Sequence, residues 1–334
     1  MVPEKGPLGR RVRALEDFCC YCRKLKIDLL KDQSNFWNNS GKHPGSAFFT
    51  SIQDPSIQAH QILATKRKRM LKSRPIFVGV DVGTSRTKVA ILDPDKKLIG
   101  RAVRKSGTDF TASAEICLKT ALKMANAAEG DIIETISTGY GRRNVSFSRE
   151  TKTEISCHAR GCYFYFPMAV TLIDIGGQDN KLIKMDDRGR RISFKMNRKC
   201  AAGTGAFLEE ISPRLDVPLE KMNDLAMQST NVVELGSYCT VFSATEVLER
   251  IREGKNLPDI VKGLFLSVIK RVMEMDPLTE KVVMTGGVVA HNPFLVQMVE
   301  EIIGREVLVP EYPQFTGAVG AALFAHASII SSAS

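Results

Sequence analysis

The sequence predicts an α/β protein whose body contains the same structural unit twice. Two observations carry this prediction: short valine- and isoleucine-rich runs that end in glycine-containing turns, and the return of one such pattern after a constant interval. The chain has 334 residues, 43% hydrophobic and 25% charged, which is enough for two domains with buried cores. This composition excludes a wholly disordered chain, a collagen and a disulfide-linked miniprotein.

The positive charge is concentrated ahead of the body. The net charge is +10; residues 1–75 hold 15 Lys and Arg against 6 Asp and Glu, whereas the remainder holds 32 against 31. We therefore predict a basic N-terminal extension over 1–75, whose run 66–69 (KRKR) is either a solvated linker or a contact surface. No base-reading motif accompanies it, so nucleic acid is not an expected partner. Cys19, Cys20 and Cys22 lack a second Cys/His pair at zinc spacing and predict no metal site.

The compartment follows from what the sequence lacks. No apolar run reaches the roughly 18 residues of a membrane span, and the N-terminus has no apolar signal-peptide core. We expect a cytoplasmic protein without membrane contact. In that compartment thiols are expected to be metal ligands or core residues rather than disulfides.

The first unit opens with a strand–turn–strand. The run 76–80 (IFVGV) reads as a buried strand and 87–92 as its partner. Backbone N–H groups in the intervening turn form an anion nest, and an Asp at a strand end can hold magnesium, usually through water. Asp81 is a candidate to face magnesium, and the candidates to face phosphate are Gly83, Thr84, Ser85 and Lys88. The lysine could equally be an exposed charge at the end of the strand.

The same pattern returns further along the chain. Four pairs share one offset of 93 positions: Asp81 and Asp174, Gly83 and Gly176, Lys88 and Lys181, Asp93 and Asp186. The second turn contains Gly176, Gly177, Gln178 and Asp179. Four coincidences at one offset predict a duplicated domain with a phosphate loop in each half. Two such loops facing each other would clamp a polyphosphate from both sides.

A third glycine turn lies near the C-terminus. Residues 281–284 read as a strand, and the turn after it contains Gly286 and Gly287. Asn292 and Pro293 are suited to the start of a helix. Glycines at such a turn let the backbone lie against a flat ring such as adenine, so this turn and Asn292 are expected to approach a nucleoside.

These three turns, in this order, resemble the actin, hexokinase and heat-shock ATPase superfamily. The resemblance implies two mixed-sheet domains around a nucleotide cleft, over 76–170 and 171–334, the second including a returning C-terminal helix. Residues 200–205 and 317–322 look like the two helices that connect the domains. The resemblance also places Gly203, Thr204, Gly205 and Gly317 among the nucleotide contacts.

The sequence contexts of two cysteines indicate one family within this superfamily. Cys200 stands directly ahead of a glycine-rich helix start, where backbone N–H groups favour a thiolate or an anionic cluster. Cys157 lies in a Cys-His-Ala context and Cys200 in Lys-Cys-Ala-Ala-Gly-Thr-Gly, and both contexts are similar to those of activators of 2-hydroxyacyl-CoA dehydratases and of ATP-binding subunits of benzoyl-CoA reductases. The similarity covers about 76–326, including 137–142 (STGYGR). We predict packing or near-cluster roles for Cys162 and Cys239.

The resemblance implies an ATPase that drives single electrons to a partner enzyme. Its cofactors would be ATP, Mg²⁺ and one [4Fe-4S] cluster per homodimer, since a cubane needs four thiolates and each chain would supply two, Cys157 and Cys200. Asp174 or Asp179, with Gln178, would orient the attacking water. The partners would be a 2-hydroxyacyl-CoA dehydratase or a benzoyl-CoA reductase component, with reduced ferredoxin or flavodoxin as donor.

Two features depart from this family, and two other functions remain open. Residues 1–75 have no counterpart in a typical activator, and 242–246 (FSATE) lacks one of the carboxylates usual there. A small-molecule kinase of the same superfamily would share the nucleotide loops but need no iron. A non-enzymatic, ATP-dependent docking module would bind nucleotide and use the basic extension as its arm.

Overall fold

Two mixed sheets of five strands each form the framework of the protein. The computed structural model describes residues 75–197, 201, 203–235, 240–278 and 281–331. Residues Pro75–His326 form one compact unit. The N-terminal extension lies outside the described residues, apart from Pro75. Within the described ranges, no helix is both long and apolar enough to cross a membrane.

The first sheet has the strand order β3-β2-β1-β4-β5. Its strands are β1 (Ile76–Val82), β2 (Arg86–Leu92), β3 (Leu98–Lys105), β4 (Ile132–Thr138) and β5 (Glu150–Thr151). β2 runs antiparallel to β1 and β3, whereas β4 runs parallel to β1 and β5. Helix α1 (Phe110–Ala125) packs on β2 and β3 and begins at Asp109, whose carboxylate accepts a hydrogen bond from the Ala112 N–H at 2.9 Å.

The second sheet repeats the first strand for strand. Its order is β10-β9-β6-β7-β8, with the same alternation of parallel and antiparallel neighbours. The strands are β6 (Val170–Ile175), β7 (Asn180–Met185), β8 (Arg191–Asn197), β9 (Val282–Thr285) and β10 (Val307–Leu308). β6 to β10 thus take the places of β1 to β5. The α/β fold and the duplication predicted from the offset of 93 residues are confirmed.

The repeat extends to the turns at the far ends of the hairpins. Asp93 accepts a hydrogen bond from the Lys97 N–H at 2.8 Å, and Asp186 accepts one from the Arg190 N–H at 2.8 Å. The residues Lys96 and Gly189, again 93 apart, both have left-handed backbones, with φ of 63° and 73°. The fourth pair of repeated aspartates therefore shapes turns, away from the first and second glycine loops.

The remaining helices of the second half lie around its sheet. They are α3 (Gly205–Ile211), α4 (Met222–Met227), α5 (Thr240–Arg252), α6 (Leu257–Met273), α7 (Gly287–His291) and α8 (Pro293–Ile303). The largest hydrophobic core joins these helices to β6, β7 and β9 and contains the fully buried Phe207 and Phe265. This core holds the second glycine turn in place.

Two further helices cross between the halves. Helix α2 (Glu154–Tyr165) packs through Ile155 and Ala159 on the second sheet, and α9 (Thr316–Ser331) packs through Ala318 and Ala322 on the first. Their backbones touch, because a side chain at Gly161 would collide with the Thr316 carbonyl. The crossing therefore joins the two halves backbone to backbone.

The prediction that residues 200–205 form one of the crossing helices is wrong for its described part. Gly203 and Gly205 lead into α3, whose Phe207 and Leu208 are buried in the core of the second half. Small residues are needed here because Gly205 packs against the carbonyl of Gly176 in the second turn. The crossing partner of α9 is α2. The other segment, residues 317–322, does lie in a crossing helix.

Candidate functional site

The two repeated glycine turns approach each other. In the first, the Gly83 N–H donates to the Arg86 carbonyl at 3.1 Å; in the second, the Gly176 N–H donates to the Asp179 carbonyl at 2.9 Å. A Cβ built on Gly177 would lie 2.6 Å from the Ser85 hydroxyl. The lack of side chains therefore lets the loops face each other closely, as the sequence predicted. Thr84 and Gln178, at the tips of the loops, are exposed.

Each hairpin buries one aspartate–lysine pair beneath its turn. Lys88 Nζ lies 3.2 Å from Asp81 Oδ2, and Lys181 Nζ lies 3.1 Å from Asp174 Oδ2. In both hairpins the two residues are directly cross-strand neighbours. Asp81 and Asp174 are 5% and 2% exposed, so two buried carboxylates from different sheets lie at the base of the loops.

Further acidic groups complete what we call the cleft cluster. Lys181 Nζ also lies 2.8 Å from Asp179 Oδ1 and 3.8 Å from Glu154 Oε2 at the start of α2. The cleft cluster consists of Asp81, Lys88, Glu154, Asp174, Asp179 and Lys181. It has four carboxylates against two ammonium groups, so it carries an excess of two negative charges when all six are ionised. Such an excess in a largely buried site suits a divalent cation.

Burial and close partners fix the ionisation of the central pair. Burial alone would raise the pKa of Asp174, but the Lys181 ammonium group and the Thr285 hydroxyl outweigh it and hold that pKa well below its usual range. Burial would likewise lower the pKa of Lys181, yet Asp174 and Asp179 raise it above its ordinary value. Asp174 is therefore a firmly ionised carboxylate and a poor proton acceptor.

The two buried aspartates differ in how many of their carboxylate oxygens already accept a hydrogen bond. Thr285 Oγ1 donates to Asp174 Oδ1 at 2.9 Å, so both oxygens of Asp174 are engaged. Thr138 occupies the equivalent position beside Asp81, but its hydroxyl makes no hydrogen bond to that carboxylate. Asp81 thus keeps a free oxygen, which suits it better to a cation than Asp174.

Helix α2 brings two residues to the cleft that the sequence analysis did not assign there. Glu154 and His158 are four residues apart and therefore share one face of α2. His158 Nδ1 lies 3.4 Å from Asp174 Oδ1, and the ring is 6% exposed. Burial is the main cause that lowers the pKa of His158, which favours the neutral ring. The spacing of four and the adjoining Cys157 were the available signals in the sequence.

The third glycine turn follows β9. Gly286 has φ of 105°, and a side chain there would collide with the Ile175 carbonyl. A Cβ on Gly287, in contrast, would meet nothing within 4 Å, so this glycine faces open space. Asn292 is buried and donates its side-chain amide to the Val288 carbonyl at 2.8 Å. The approach of Gly287 to a nucleoside stays a prediction, and Asn292 has a partner within the turn.

The segment 203–205 supports the second loop from behind. The backbone N–H groups of Gly205 and Ala206 donate to the carbonyls of Gly176 and Gly177 at 2.9 and 2.7 Å. Thr204 is fully buried, and its hydroxyl donates to the Ala201 carbonyl at 2.5 Å. A direct contact of Thr204 with a ligand is therefore not compatible with the structure, because the side chain is already enclosed and hydrogen-bonded.

Gly317 lies at the base of the cleft, in α9. A Cβ there would come within 2.8 Å of His158 Nε2 and 3.3 Å of Asp81 Oδ2. Gly317 thus lets an imidazole and a carboxylate from different elements pack against one helix. Its predicted contact with a nucleotide is not needed to explain why this position is a glycine.

Magnesium and a nucleotide fit this site. No group of three or more His, Cys, Asp or Glu in the described ranges is arranged to hold a metal ion by itself. Mg²⁺ in phosphate-binding sites is held by one or two carboxylates together with phosphate oxygens and water. Asp81 meets that requirement beneath the paired glycine loops.

The predicted cluster ligand Cys157 does not fit an iron–sulfur cluster shared between two chains. Its side chain is fully buried and its carbonyl lies where a side chain on Gly320 of α9 would be, so the residue is enclosed in the helix crossing. Burial raises the pKa of its thiol to about 12, as expected for a cysteine enclosed in a core. Cys117 and Cys162 are buried as well, with pKa values raised to about 12. Cys200 and Cys239 lie outside the described residues.

Comparisons with known proteins agree with this site. Residues 78–325 match the model of the BadF/BadG/BcrA/BcrD ATPase family. The chain is 42% identical over 252 residues to an activator of lactoyl-CoA dehydratase from Anaerotignum propionicum, covering 75% of this chain and 96% of that protein. It is 41% identical over 251 residues to a 2-hydroxyisocaproyl-CoA dehydratase activator from Clostridioides difficile, covering 74% and 94%.

Solved structures extend the similarity to the fold. The activator of the 2-hydroxyisocaproyl-CoA dehydratase from Clostridium difficile, with bound ADPNP, superposes with a TM-score of 0.73 at 39% identity, covering 77% of this chain and 96% of that one. The actin-like ATPase fold expected from the order of the glycine turns is confirmed.

Proposed function

The chain belongs to the BadF/BadG/BcrA/BcrD ATPase family, and from that membership we propose that it is an ATP-hydrolysing activator which passes a low-potential electron to a 2-hydroxyacyl-CoA dehydratase or a related reductase. The observation that carries this proposal is the pair of repeated hairpins, each with a glycine loop above a buried aspartate–lysine pair, facing one cleft. Relatives at about 40% identity are named as dehydratase activators, which supports the same role here.

The two loops supply the phosphate contacts. We assign the β- and γ-phosphates of ATP to the space between Gly83–Ser85 and Gly176–Gln178, because successive backbone N–H groups of such turns form anion-binding concavities. Gly287 offers an open backbone surface to the nucleoside, and Gly286 supplies the positive φ that the turn needs. Loss of the γ-phosphate removes contacts from between the loops, so hydrolysis changes how closely the two halves approach.

Magnesium is assigned to Asp81, which has the freer oxygen. When bound, the ion neutralises charge on the transferred phosphoryl group. Lys181 holds Asp174 and Asp179 in one arrangement. Asp179 is the better candidate to orient the attacking water, with Gln178, because its side chain is 23% exposed whereas both oxygens of Asp174 are engaged.

The cluster is assigned to Cys200 and Cys239 by elimination. Cys117, Cys157 and Cys162 are the other cysteines of the body, and all three are buried. Cys239 immediately precedes α5, and Cys200 precedes α3 by a few residues, so in sequence both stand just ahead of a helix start. Two thiolates per chain require a homodimer to complete four ligands. When bound, a [4Fe-4S] cluster supplies a one-electron carrier.

The proposed partners follow from the family. The proposed electron acceptor is a dehydratase or reductase component, because the relatives are named as dehydratase activators and as a benzoyl-CoA reductase subunit. Reduced ferredoxin or flavodoxin is the proposed donor, because a low-potential one-electron step needs a low-potential one-electron protein.

One experiment with two readouts tests this function. Protein purified without oxygen is expected to contain about four irons per dimer and to hydrolyse ATP in the presence of magnesium. Cys200→Ser and Cys239→Ser are each expected to lose the iron, Cys157→Ser to retain it, and Asp81→Asn to lose hydrolysis while retaining iron. Nucleotide turnover on a small-molecule acceptor without any iron would instead indicate a kinase. Iron loss in Cys157→Ser alone would overturn the ligand assignment.

A further inference from the structure

His158 occupies an unusual place for a polar side chain. It is 6% exposed and lies between carboxylates that belong to different sheets. Its Nδ1 is 3.4 Å from Asp174 Oδ1, and its Nε2 faces Gly317 at a point that Asp81 Oδ2 also approaches. Nδ1 is buried and makes no hydrogen bond in this structure. A buried polar nitrogen without a partner is rare in folded proteins and calls for an explanation.

The surroundings allow the imidazole little freedom. Gly317 contacts the ring from α9, and any side chain larger than hydrogen there would press on both the ring and Asp81. The preceding residue, Cys157, is fixed by contact of its carbonyl with Gly320 of the same helix. His158 is therefore held on the crossing of α2 and α9, and it moves with that crossing.

Asp174 already has two well-formed partners. Thr285 donates at 2.9 Å to Oδ1 and Lys181 at 3.1 Å to Oδ2. A carboxylate oxygen accepts two hydrogen bonds, so Oδ1 has room for one more. The group nearest to filling it is His158 Nδ1, a few tenths of an ångström beyond hydrogen-bond distance. Such bonds are commonly long in a protein without its substrate and tighten in the complex.

We infer that His158 is a positioning residue for ATP hydrolysis, whose Nδ1–H completes the hydrogen bonding of Asp174 when the two halves close on the nucleotide. This inference rests on the proposed function and adds to it a residue that touches neither phosphate nor metal. The bond fixes Asp174, which through Lys181 fixes Asp179 beside the phosphate. It also ties α2 to the closed state, because His158 and the crossing move as one body.

Two amide substitutions distinguish the roles of the two ring nitrogens of His158. An asparagine side chain places its amide nitrogen close to the position of Nδ1, whereas glutamine reaches the position of Nε2. His158→Asn is therefore expected to keep the hydrogen bond to Asp174, and His158→Gln and His158→Ala to lose it. Steady-state ATP hydrolysis is measured for each, together with ADP affinity and thermal unfolding as checks of folding. His326→Gln is the control, because His326 lies against Pro94 at the opposite end of β1 and β2.

We expect the substitutions to change kcat but not KM, and the glutamine variant to be impaired while the asparagine variant is not. We expect His158→Gln and His158→Ala to lower kcat about tenfold or more, the effect of losing one positioning bond, with KM for ATP unchanged within about twofold. His158→Asn should stay within about threefold of the wild type, and His326→Gln should match it.

The outcomes distinguish this inference from the function on which it rests. A wild-type protein that does not hydrolyse ATP would overturn the proposed function. A wild type that hydrolyses ATP while all three His158 variants retain its kcat would overturn only the role of His158. Equal loss in the asparagine and glutamine variants would show that Nδ1 is not the atom that acts. If the alanine variant does not fold, the comparison of the two amides still decides.

Discussion

At the scale of single residues, the buried charges of the second hairpin are the feature that the protein must compensate most carefully. Asp174 and Lys181 are 2% and 4% exposed, and their partners come from the sheet, from the second glycine turn and from the start of α2. Removing one partner of a buried pair leaves the other charge without compensation, which costs about 3–5 kcal/mol. Their retention in place of apolar residues is consistent with a function in binding charged substrate.

Lys181→Met is accordingly expected to lower the free energy of unfolding by about 3–5 kcal/mol near neutral pH. The pKa of Asp174 is depressed, so its contribution is present above its ordinary value of 3.8 and is lost as the pH falls through the folded value. The pKa of Lys181 is raised, so its contribution is complete below its ordinary value of 10.5 and is lost at higher pH. The difference between wild type and variant should therefore stay constant between these limits.

Denaturant unfolding from about pH 5 to 9 measures this difference. Arg214→Met is the control, because the Arg214–Glu210 pair is exposed at 43% and 55% and such pairs contribute at most about 1 kcal/mol. A loss for Lys181→Met no larger than that of the control would contradict the account of the cleft cluster.

At the scale of elements, the crossing of α2 and α9 determines how the two halves are joined. Glycines bring the backbones into contact at two points, Gly161 against Thr316 and Gly320 against Cys157. This contact leaves no space for an added methyl group and no path to solvent for the Cys157 thiol. The crossing thus explains why the two helices pack so closely and why the Cys157 thiol is enclosed.

Gly161→Ala is expected to destabilise the protein by about 1–3 kcal/mol, because the new methyl group overpacks the crossing. Gly130→Ala is the matched control, since a Cβ at Gly130 would meet nothing within 4 Å and should change stability by less than about 0.5 kcal/mol. Thermal or denaturant unfolding compares the two. If the two variants unfold alike, the helices are not packed backbone to backbone at this point.

The elements that the sequence predicted well are those with a local signal. Strands β1, β2, β6 and β7 and their turns were predicted because valine-rich runs, glycines and the constant offset all agree. The pairing of α2 with α9 was not predicted, because it depends on which small residues meet in space rather than on their spacing along the chain. Residues 200–205 have the same glycine-rich composition but use it to support a loop.

At the scale of the whole molecule, the duplication accounts for the two sheets and for the two aspartate–lysine pairs of the cleft cluster. The offset of 93 residues predicted two equivalent hairpins, and their aspartates and lysines do form equivalent pairs. The contribution of α2 was missed because Glu154 and His158 have no counterpart in the repeat. The sequence could not show that Cys157 is buried, because the motif around a cysteine describes its neighbours in the chain and not its position in the fold.

The same scale defines the central claim, that ATP hydrolysis and electron transfer share one conformational change. If closure of the two halves alters the surroundings of the cluster, its reduction potential must depend on the bound nucleotide, and the affinity for nucleotide must depend on the redox state by the same factor. A coupling of about 1–3 kcal/mol is ordinary for two such sites, and for one electron about 59 mV corresponds to roughly 1.4 kcal/mol.

The measurement is a redox titration of the anaerobic protein with ADP and with a non-hydrolysable ATP analogue. We predict midpoint potentials that differ by about 40–130 mV between the two nucleotides, the equivalent of that coupling. Binding of each nucleotide to the oxidised and reduced protein should then differ by the matching factor. Identical potentials together with identical affinities would leave two independent sites and would contradict an activator that uses ATP to drive an electron.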